Sequence, residues 1–271
     1  MVNNLSSHPT SVTPKTVFIA EIFPGRHLAE FSIDLANTPG ALADASEILS
    51  KHNVNILSGF HDAARWSFFA DITEANISAD QLVQDLKGIK VISDVRLQEA
   101  SNGIQIDCLH YPVVWGQRRV IMIRAEQLSA ILNRIRAMFG EDGPVAKVML
   151  FAMGEAAGRE SFRMMADEVS ASTVKKELPN AMYLYSACGW GIFKAIDADF
   201  EQGSGTVRAI DCFECAPNQG EKSKPYSQFI RGHIAGLFSA LFDKRIDVVE
   251  TECIACGDPH CLFRLGSKEA N

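Results

Sequence analysis

The sequence predicts a protein of the α+β class that is built from two domains. Its 271 residues exceed one typical domain of about 100–200 residues. In the first half, apolar residues change between the two-residue period of strands and the 3.6-residue period of helices, which predicts a compact β-α-β-β-α-β unit. The second half combines longer helical stretches with strands and ends in a cysteine-rich segment. That order favours a separate α+β domain.

The composition excludes several classes of partner. Hydrophobic residues make up 47% and charged residues 22% of the chain, which is typical of a globular protein. The net charge is −7 and the longest basic block is Arg118-Arg119, so nucleic acid is not the predicted partner. The polar segment 1–15 lacks the apolar core of a secretion signal, and no stretch approaches the ~20 apolar residues of a membrane span. We expect a cytoplasmic protein that does not bind membranes.

The first domain is predicted over residues 16–98. Phe31 to Leu35 alternates like a strand, and the turn Asn37-Thr-Pro-Gly40 offers Asn37 or Thr38 as a cap for a helix from Ala41 to His52. The remaining elements are strands at 53–57, 66–72 and 91–97 and a helix from Ser78 to Lys87. This is a ferredoxin-like order, with two helices on one face of the sheet.

The segments Asn37-Thr-Pro-Gly-Ala-Leu42 and Asn53-Val-Asn-Ile56 resemble the ACT domain. The resemblance implies that an amino acid or another small effector binds at the loop after the first strand, usually across a dimer interface. Gly40 would let the backbone approach a ligand, and a helix N-terminus attracts a carboxylate. The alternative is a turn that is only structural, in a domain that merely dimerises. The candidate effector contacts are Asn37, Thr38, Gly40 and Ala41.

The second domain is predicted over residues 113–271, after a flexible tail at 1–15, the first domain and a linker at 99–112. Gly154 and Gly158, within a long helical stretch, indicate close packing or a bend. The expected elements are helices at 126–139, 144–177 and 225–242, strands at 181–200 and 206–215, and a terminal hairpin of 246–254 with 260–265.

The stretch from Glu250 to Phe263 and the preceding Gly232-His-Ile-Ala-Gly236 resemble the 4-vinyl reductase domain. This is a small-molecule-binding module that also serves as the sensor domain of phenol-responsive activators. Its distinctive pattern, Glu-x2-Cys-x7-Cys, falls on Glu250, Cys253 and Cys261. Relatives that bind zinc carry another cysteine near the start of the preceding helix, where this chain has Ser227.

Clustered cysteines suggest metal or redox chemistry in a reducing compartment. Zinc takes four tetrahedral ligands, and a hairpin would bring Cys253 and Cys261 together near Glu250. The fourth ligand would come from Cys256, His260 or Cys215, and Cys256 completes our candidate set.

Cys212 and Cys215 are less suitable as a joint pair. On a strand, residues three apart point to opposite faces, so they converge only if the strand breaks before Pro217. Two alternatives to zinc stay open: a set of reduced thiols around a hairpin, or a redox switch. Cys108 and Cys188 are expected to be inert.

Aromatic residues in the second domain indicate an apolar ligand pocket. The alternative is that these side chains are only core. The candidate pocket residues are Trp190, Phe193, Phe213, Tyr226, Phe229 and Phe238.

The leading functional hypothesis is a non-enzymatic sensor: the second domain binds a hydrophobic ligand and the first an amino-acid-like effector, in a homodimer. An oxidoreductase of 4-vinyl reductase type and a thiol redox sensor are the alternatives. No P-loop, Gly-x-Gly-x-x-Gly, Gly-x-Ser-x-Gly or His-Glu-x-x-His motif is present. His260 and Cys261 are adjacent on a predicted strand and would point apart, so a catalytic dyad there is not expected.

Overall fold

A computed structural model of the chain describes residues 13–141, 143–199 and 203–266. The described residues form two compact units that divide between Ile121 and Met122. Most of the predicted N-terminal tail, and Phe200 at the end of a predicted strand, lie outside the described residues. In the part of the chain that is described, no helix is long and apolar enough to cross a membrane.

The first unit is an antiparallel sheet with helices. Its elements follow one another in the predicted order, and strands β2 to β5 form a four-stranded sheet in the order β3-β4-β2-β5. The bounds are β1 Ala20–Ile22, β2 Leu28–Leu35, α1 Ala41–Lys51, β3 Asn55–Asp62, β4 Arg65–Asp71, α2 Ala79–Lys87, β5 Ile92–Ala100, β6 Ile104–Ile106, β7 Val114–Trp115 and β8 Arg118–Arg119. Assignment to the ACT family stays a prediction.

Strand β2 is buried on both faces, which is unusual for a sheet with helices on one side only. Phe31 and Ile33 belong to the apolar core shared with the helices. Glu30 and Ser32, which alternate with them and therefore point the other way, are also fully buried. Other parts of the unit therefore cover the second face.

The predicted linker at 99–112 is wrong as a structureless segment. Its first two residues end β5, and β6 pairs with β1 through Ala20 and Ile106. Gln105, in the middle of β6, is buried. The short alternation of Ile104 and Ile106 was the signal for this strand, but three residues are too few for a reliable period.

The turn before α1 also differs from the prediction. Neither Asn37 nor Thr38 caps the helix: the N-cap is Gly40, at φ +92°, with no side-chain hydrogen bond. A left-handed backbone favours glycine, which explains why glycine stands there. Asn37, Thr38 and Gly40 are exposed, while Ala41 is buried.

The second unit packs helices against a four-stranded antiparallel sheet of order β11-β12-β10-β9. The α+β class is confirmed, and β11 and β12 form the terminal hairpin. The bounds are α3 Ala125–Phe139, α4 Pro144–Val169, α5 Ala171–Lys176, α6 Leu178–Ala181, α7 Tyr183–Ala187, β9 Ile192–Asp199, β10 Ser204–Ile210, α8 Gln228–Phe242, β11 Asp247–Glu252 and β12 Cys261–Gly266, with 3-10 turns at Ala216–Asn218 and Ile254–Cys256.

The strand predicted from residue 181 begins only at Ile192, because residues up to Ala187 form α6 and α7. Tyr183 and Tyr185 imitate the alternation of a strand. The buried residues are instead Leu178, Met182 and Tyr185, whose spacings of four and three are helical.

Helices α4 and α8 approach each other so closely that their backbones touch. A Cβ on Gly158 would lie 2.0 Å from the carbonyl oxygen of His233, and one on Gly236 would lie 2.1 Å from that of Glu155. Gly154 and Gly232 meet the facing helix in the same way. The close packing predicted for Gly154 and Gly158 is therefore present, and it fixes the position of the nearly completely buried α8.

Replacing Gly158 with alanine is expected to destabilise the protein by at least about 1–3 kcal/mol, because the new methyl group must push two backbones apart. Helix propensity alone predicts the opposite sign, a gain of about 1 kcal/mol. Chemical denaturation measures the difference.

The matched control is Ala156→Gly at an exposed position of the same helix, which should cost about 1 kcal/mol through propensity. A Gly158→Ala protein that is more stable than the wild type would contradict the backbone contact.

Candidate functional site

A buried cluster of three thiols and one carboxylate lies in the second unit. Cys215, Glu250, Cys253 and Cys261 each contribute one potential ligand atom, and these four atoms lie within 4.8 Å of one another. The three cysteines are completely buried and Glu250 is almost so. Of the four metal ligands predicted from the sequence, the structure brings Glu250, Cys253 and Cys261 together.

The terminal hairpin positions two of the thiols. Cys253 follows β11 and precedes the 3-10 turn, while Cys261 begins β12. The carboxylate of Asp258 accepts a hydrogen bond from the Cys253 N–H (2.7 Å), and the Ile254 N–H points at the Cys261 sulfur (3.4 Å). These bonds hold the turn in one conformation, so both thiols face the same point.

Cys215 takes the place predicted for Cys256. Strand β10 ends at Ile210, and Cys212 to Cys215 then form a tight turn in which the Cys215 N–H donates to the Cys212 carbonyl (3.0 Å). The chain therefore breaks before Pro217, and the Cys215 sulfur reaches 3.6 Å from that of Cys253. Cys212 is also fully buried, and hydrogen bonds with the thiols of Cys215 and Cys261 lower its pKa.

Cys256 and His260 do not join this cluster. The Cys256 thiol is half-buried and is not among the four atoms within 4.8 Å. The Nε2 atom of His260 lies 3.0 Å from a carboxylate oxygen of Glu252 instead. The choice of Cys256 as a ligand rested on its short distance in sequence, which could not reveal that the preceding loop brings Cys215 closer.

Ser227 lies inside the cluster. Its hydroxyl donates to Glu250 (2.7 Å) and lies 2.7 Å from the Cys215 sulfur, and its N–H donates to the other Glu250 oxygen (3.0 Å). Ser227 is the N-cap residue of α8. The position that the resemblance assigned to a metal-binding cysteine therefore does face the site.

The chemistry of the donor set fits a divalent metal ion. Burial, reinforced by the nearby Cys253, raises the pKa of Glu250 to about 8, so without a cation this carboxyl stays protonated at neutral pH. A bound cation would remove that penalty, since thiolates and a carboxylate are established zinc ligands. The cluster could hold a metal ion.

A second buried carboxylate, Glu214, reaches the same helix end and was not predicted. It forms an ion pair with Arg136 and accepts the N–H groups of Phe229 (3.1 Å) and Ile230 (2.8 Å). Burial raises its pKa to about 7 against the opposing effects of Arg136 and the helix N–H groups. Nothing in the local sequence pattern distinguishes Glu214 from an exposed turn residue.

A polar chain crosses the aromatic core of the second unit. His233 Nδ1 lies 2.7 Å from the hydroxyl of Tyr185, and its Nε2 lies 3.2 Å from that of Ser161. The Ser161 hydroxyl donates to the Ala157 carbonyl (3.0 Å). Ser161 therefore accepts from Nε2–H, and Nδ1 accepts from Tyr185.

Burial keeps this histidine neutral. It lowers the pKa of His233 to about 4 and raises that of Tyr185. His233 was not predicted as a site residue. The available signal was a histidine within the otherwise apolar stretch of α8.

The six predicted pocket aromatics do not surround one space. Trp190 contacts Phe213, Phe229 and His233 with ring centroids 4.9–5.8 Å apart, and Phe193 stacks on Tyr185 at 4.4 Å. Tyr226 lies under the Arg136 guanidinium instead, and Phe238 packs on Phe242. All six belong to the core or pack against it.

A groove of about 490 Å³ lies elsewhere on this unit. It runs between α4 and the end of α8, and none of the six aromatics lines it. Its lining is mixed in charge, with Glu155, Arg159 and Lys244 among its residues.

Comparison with known proteins places the cysteine hairpin in a described family. Residues 206–267 match the 4-vinyl reductase domain. The match contains β10, α8, the hairpin and all four cluster residues. It covers less than a quarter of the chain, so it characterises this region and not the whole protein.

Three known proteins are similar to parts of the chain. An uncharacterised protein of Methanocaldococcus jannaschii is 33% identical over 61 residues, which are 22% of this chain and 36% of that protein. This chain thus matches about a third of the length of that relative.

Two crystal structures show a distant likeness. The phenol-responsive sensory domain of the transcription activator PoxR, solved with phenol, has a TM-score of 0.44 at 22% identity, over 60% of this chain and 80% of that one. A vinyl-4-reductase family protein of M. jannaschii has a TM-score of 0.39 at 17% identity, over 55% and 85% respectively.

The buried His233 predicts a specific acid sensitivity. Its pKa falls from 6.5 to about 4 on folding, so the unfolded chain binds the proton more tightly. The stability that this histidine contributes is complete above pH 6.5 and is lost as the pH falls through about 4, up to about 3 kcal/mol.

Urea denaturation at a series of pH values measures this slope. His233→Gln should flatten it between pH 6.5 and 4, whereas the exposed His61→Gln should leave it unchanged. An equal slope in wild type and His233→Gln would show that other groups cause the acid sensitivity.

Proposed function

We propose that the chain is a small-molecule sensor whose second unit, a domain of 4-vinyl reductase type, binds a hydrophobic ligand. The observation that carries this proposal is the polar chain of Tyr185, His233 and Ser161 within an aromatic core. A buried polar group surrounded by aromatic side chains is typical of sites for small, mostly apolar ligands. The match to the 4-vinyl reductase domain across α8 and the hairpin supports the same conclusion.

The direction of the hydrogen bonds defines the ligand class. The Tyr185 hydroxyl donates to His233, so its lone pairs remain available as acceptors. The preferred ligand is therefore an aromatic molecule with one hydroxyl group that donates to Tyr185. It enters beside the half-buried Trp190 and separates rings that otherwise pack together.

Phenol and toluene form a probe pair of similar size, in which only phenol carries the hydroxyl. With Trp66 and Trp115 replaced by phenylalanine, Trp190 is the remaining tryptophan and reports binding by fluorescence. Tyr185→Phe should weaken phenol binding about tenfold, the loss of one hydrogen bond, and leave toluene binding unchanged.

The matched control is Tyr183→Phe, a neighbouring tyrosine that is over a third exposed and should bind both probes like the wild type. Absence of saturable phenol binding to the parent protein would refute the hydroxyl-aromatic ligand class.

We also propose that Cys215, Glu250, Cys253 and Cys261 hold a structural zinc ion. The ion would join three parts of the chain: the turn after β10, the end of β11 and the terminal hairpin. Zinc supplies binding energy that becomes folding energy. The residues themselves orient the site through Ser227 and Asp258.

Cys215→Ala, Cys253→Ala and Cys261→Ala should each abolish stoichiometric zinc and lower the melting temperature, because a buried ligand is lost in each case. Glu250→Ala should act more weakly, as a carboxylate is the more replaceable ligand. Elemental analysis of the purified full chain measures the metal.

Cys256→Ala is the matched control and should retain zinc, since its thiol lies outside the cluster. Ser227→Cys, which adds a thiol at a position facing the site, should tighten zinc. Full zinc in Cys215→Ala together with loss in Cys256→Ala would reverse the assignment of the fourth ligand.

A thiol redox sensor is the second candidate, favoured by the 3.6 Å separation of the Cys215 and Cys253 sulfurs. Oxidation by a peroxide would remove one hydrogen from each thiol, form an S–S bond and release reduced peroxide as alcohol or water. A metal-free wild type that loses two free thiols under mild peroxide would favour this function over zinc.

For the first unit we propose an ACT-like regulatory role in a homodimer, with an amino-acid-like effector at Asn37, Thr38, Gly40 and Ala41. The exposed turn and the left-handed Gly40 support this placement. Calorimetric titration with the common amino acids, on wild type and Gly40→Val, tests the site. Equal binding by both proteins would contradict it, and light scattering tests the dimer.

A further inference from the structure

The sheet of the first unit has a buried polar cluster on the face opposite its helices. Glu30 on β2 is completely buried there, beside Ser67 on β4. The segment Asp107-Cys108-Leu109-His110, which follows β6, lies over this face. Three of its atoms contact Glu30 or Ser67.

Three ligand-type atoms converge in this cluster. His110 Nδ1 lies 2.8 Å from an Asp107 carboxylate oxygen and 3.2 Å from Oε1 of Glu30. All three atoms lie within 4.8 Å of one another. Such spacings suit three donors at about 2.0–2.2 Å from a common metal ion.

One of these atoms lacks a partner. Glu30 Oε1 is buried and accepts no hydrogen bond from any described residue. Its other oxygen, Oε2, accepts the Cys108 N–H (3.0 Å), so the carboxylate is held with Oε1 directed at Asp107 and His110. An unpaired buried carboxylate oxygen is costly unless a proton or a cation neutralises it.

The surroundings orient the imidazole as metal sites usually do. His110 Nε2 lies 2.8 Å from the hydroxyl of Ser67, which leaves Nδ1 facing the two carboxylates. The rings of Phe18 and Phe60 meet the imidazole edge-on at 5.8 and 5.5 Å. They limit the access of water to the cluster.

We propose that Glu30, Asp107 and His110 form a second metal site, which binds a divalent first-row transition-metal ion in the first unit. Two carboxylates and one imidazole form a harder donor set than the thiolates of the second unit, so Mn²⁺ is accepted here and disfavoured there. The bound ion ties the segment after β6 to the centre of the sheet. This site is independent of the proposed zinc site and of ligand binding.

Mn²⁺ is the probe, because loss of its free-ion electron paramagnetic resonance signal reports binding to the metal-stripped full chain. The wild type should bind one equivalent. Glu30→Gln and His110→Gln should bind about tenfold to a hundredfold more weakly, the usual effect of disturbing a metal shell. Zn²⁺ should compete, as it ranks above Mn²⁺ for such donors.

Two control variants show whether Mn²⁺ binds at these three residues. His61→Gln removes an exposed histidine on β3 and should bind Mn²⁺ like the wild type. Cys253→Ala should also retain Mn²⁺, so failure of the zinc proposal leaves this result intact.

Thermal melting shows whether the variants fold. Metal-free Glu30→Gln should melt no lower than the metal-free wild type, because it removes a buried carboxyl, while Mn²⁺ should raise the melting temperature of the wild type only. If the wild type binds no Mn²⁺, or Glu30→Gln binds it equally well, the cluster is only a proton-sharing carboxyl pair and the proposal is overturned.

Discussion

The direct backbone contact between α4 and α8 is the constraint on which the second unit depends. Four glycines, two on each helix, leave no room for a Cβ at the crossing. The contact brings Ser161 of α4 within reach of His233 of α8. It also sets the position of the N-terminus of α8, where Ser227 meets the cysteine cluster. One packing rule thus connects the polar chain in the core with the candidate metal site.

The N-terminus of α8 collects an unusual number of buried polar groups. Glu214 accepts two of its N–H groups, and Glu250 accepts the N–H and hydroxyl of Ser227. A helix N-terminus stabilises negative charge, and Arg136 neutralises Glu214. Glu250 has no such partner among the described residues, so burial dominates and its pKa rises to about 8. A metal ion at the cluster would supply the missing positive charge.

Much of the fold was predictable from local patterns. The order of elements in the first unit followed from alternation and helical spacing, and the terminal hairpin from two short apolar runs. Errors arose where two periods resemble each other over a few residues, as at Tyr183 and Tyr185. The cap at Gly40 was missed because the glycine itself, in a left-handed conformation, replaces a side-chain cap.

The candidate site was predictable only where its residues are close in sequence. Glu250, Cys253 and Cys261 were identified from the hairpin, but Cys215 comes from a distant turn whose position depends on tertiary packing. The same limit applies to Arg136 with Glu214 and to Glu30 with His110, pairs separated by about 80 residues. His233 was overlooked because a single polar residue on an apolar helix usually belongs to the core.

Amide hydrogen exchange on the zinc-loaded and chelator-treated full chain tests the central claim, that the end of α8 and the hairpin are held together at the cysteine cluster. The account predicts faster exchange after zinc removal in the turn after β10, the first turn of α8 and the hairpin from β11 to β12, with no change in the first unit's sheet. Unchanged protection in these three segments after loss of bound zinc would contradict it.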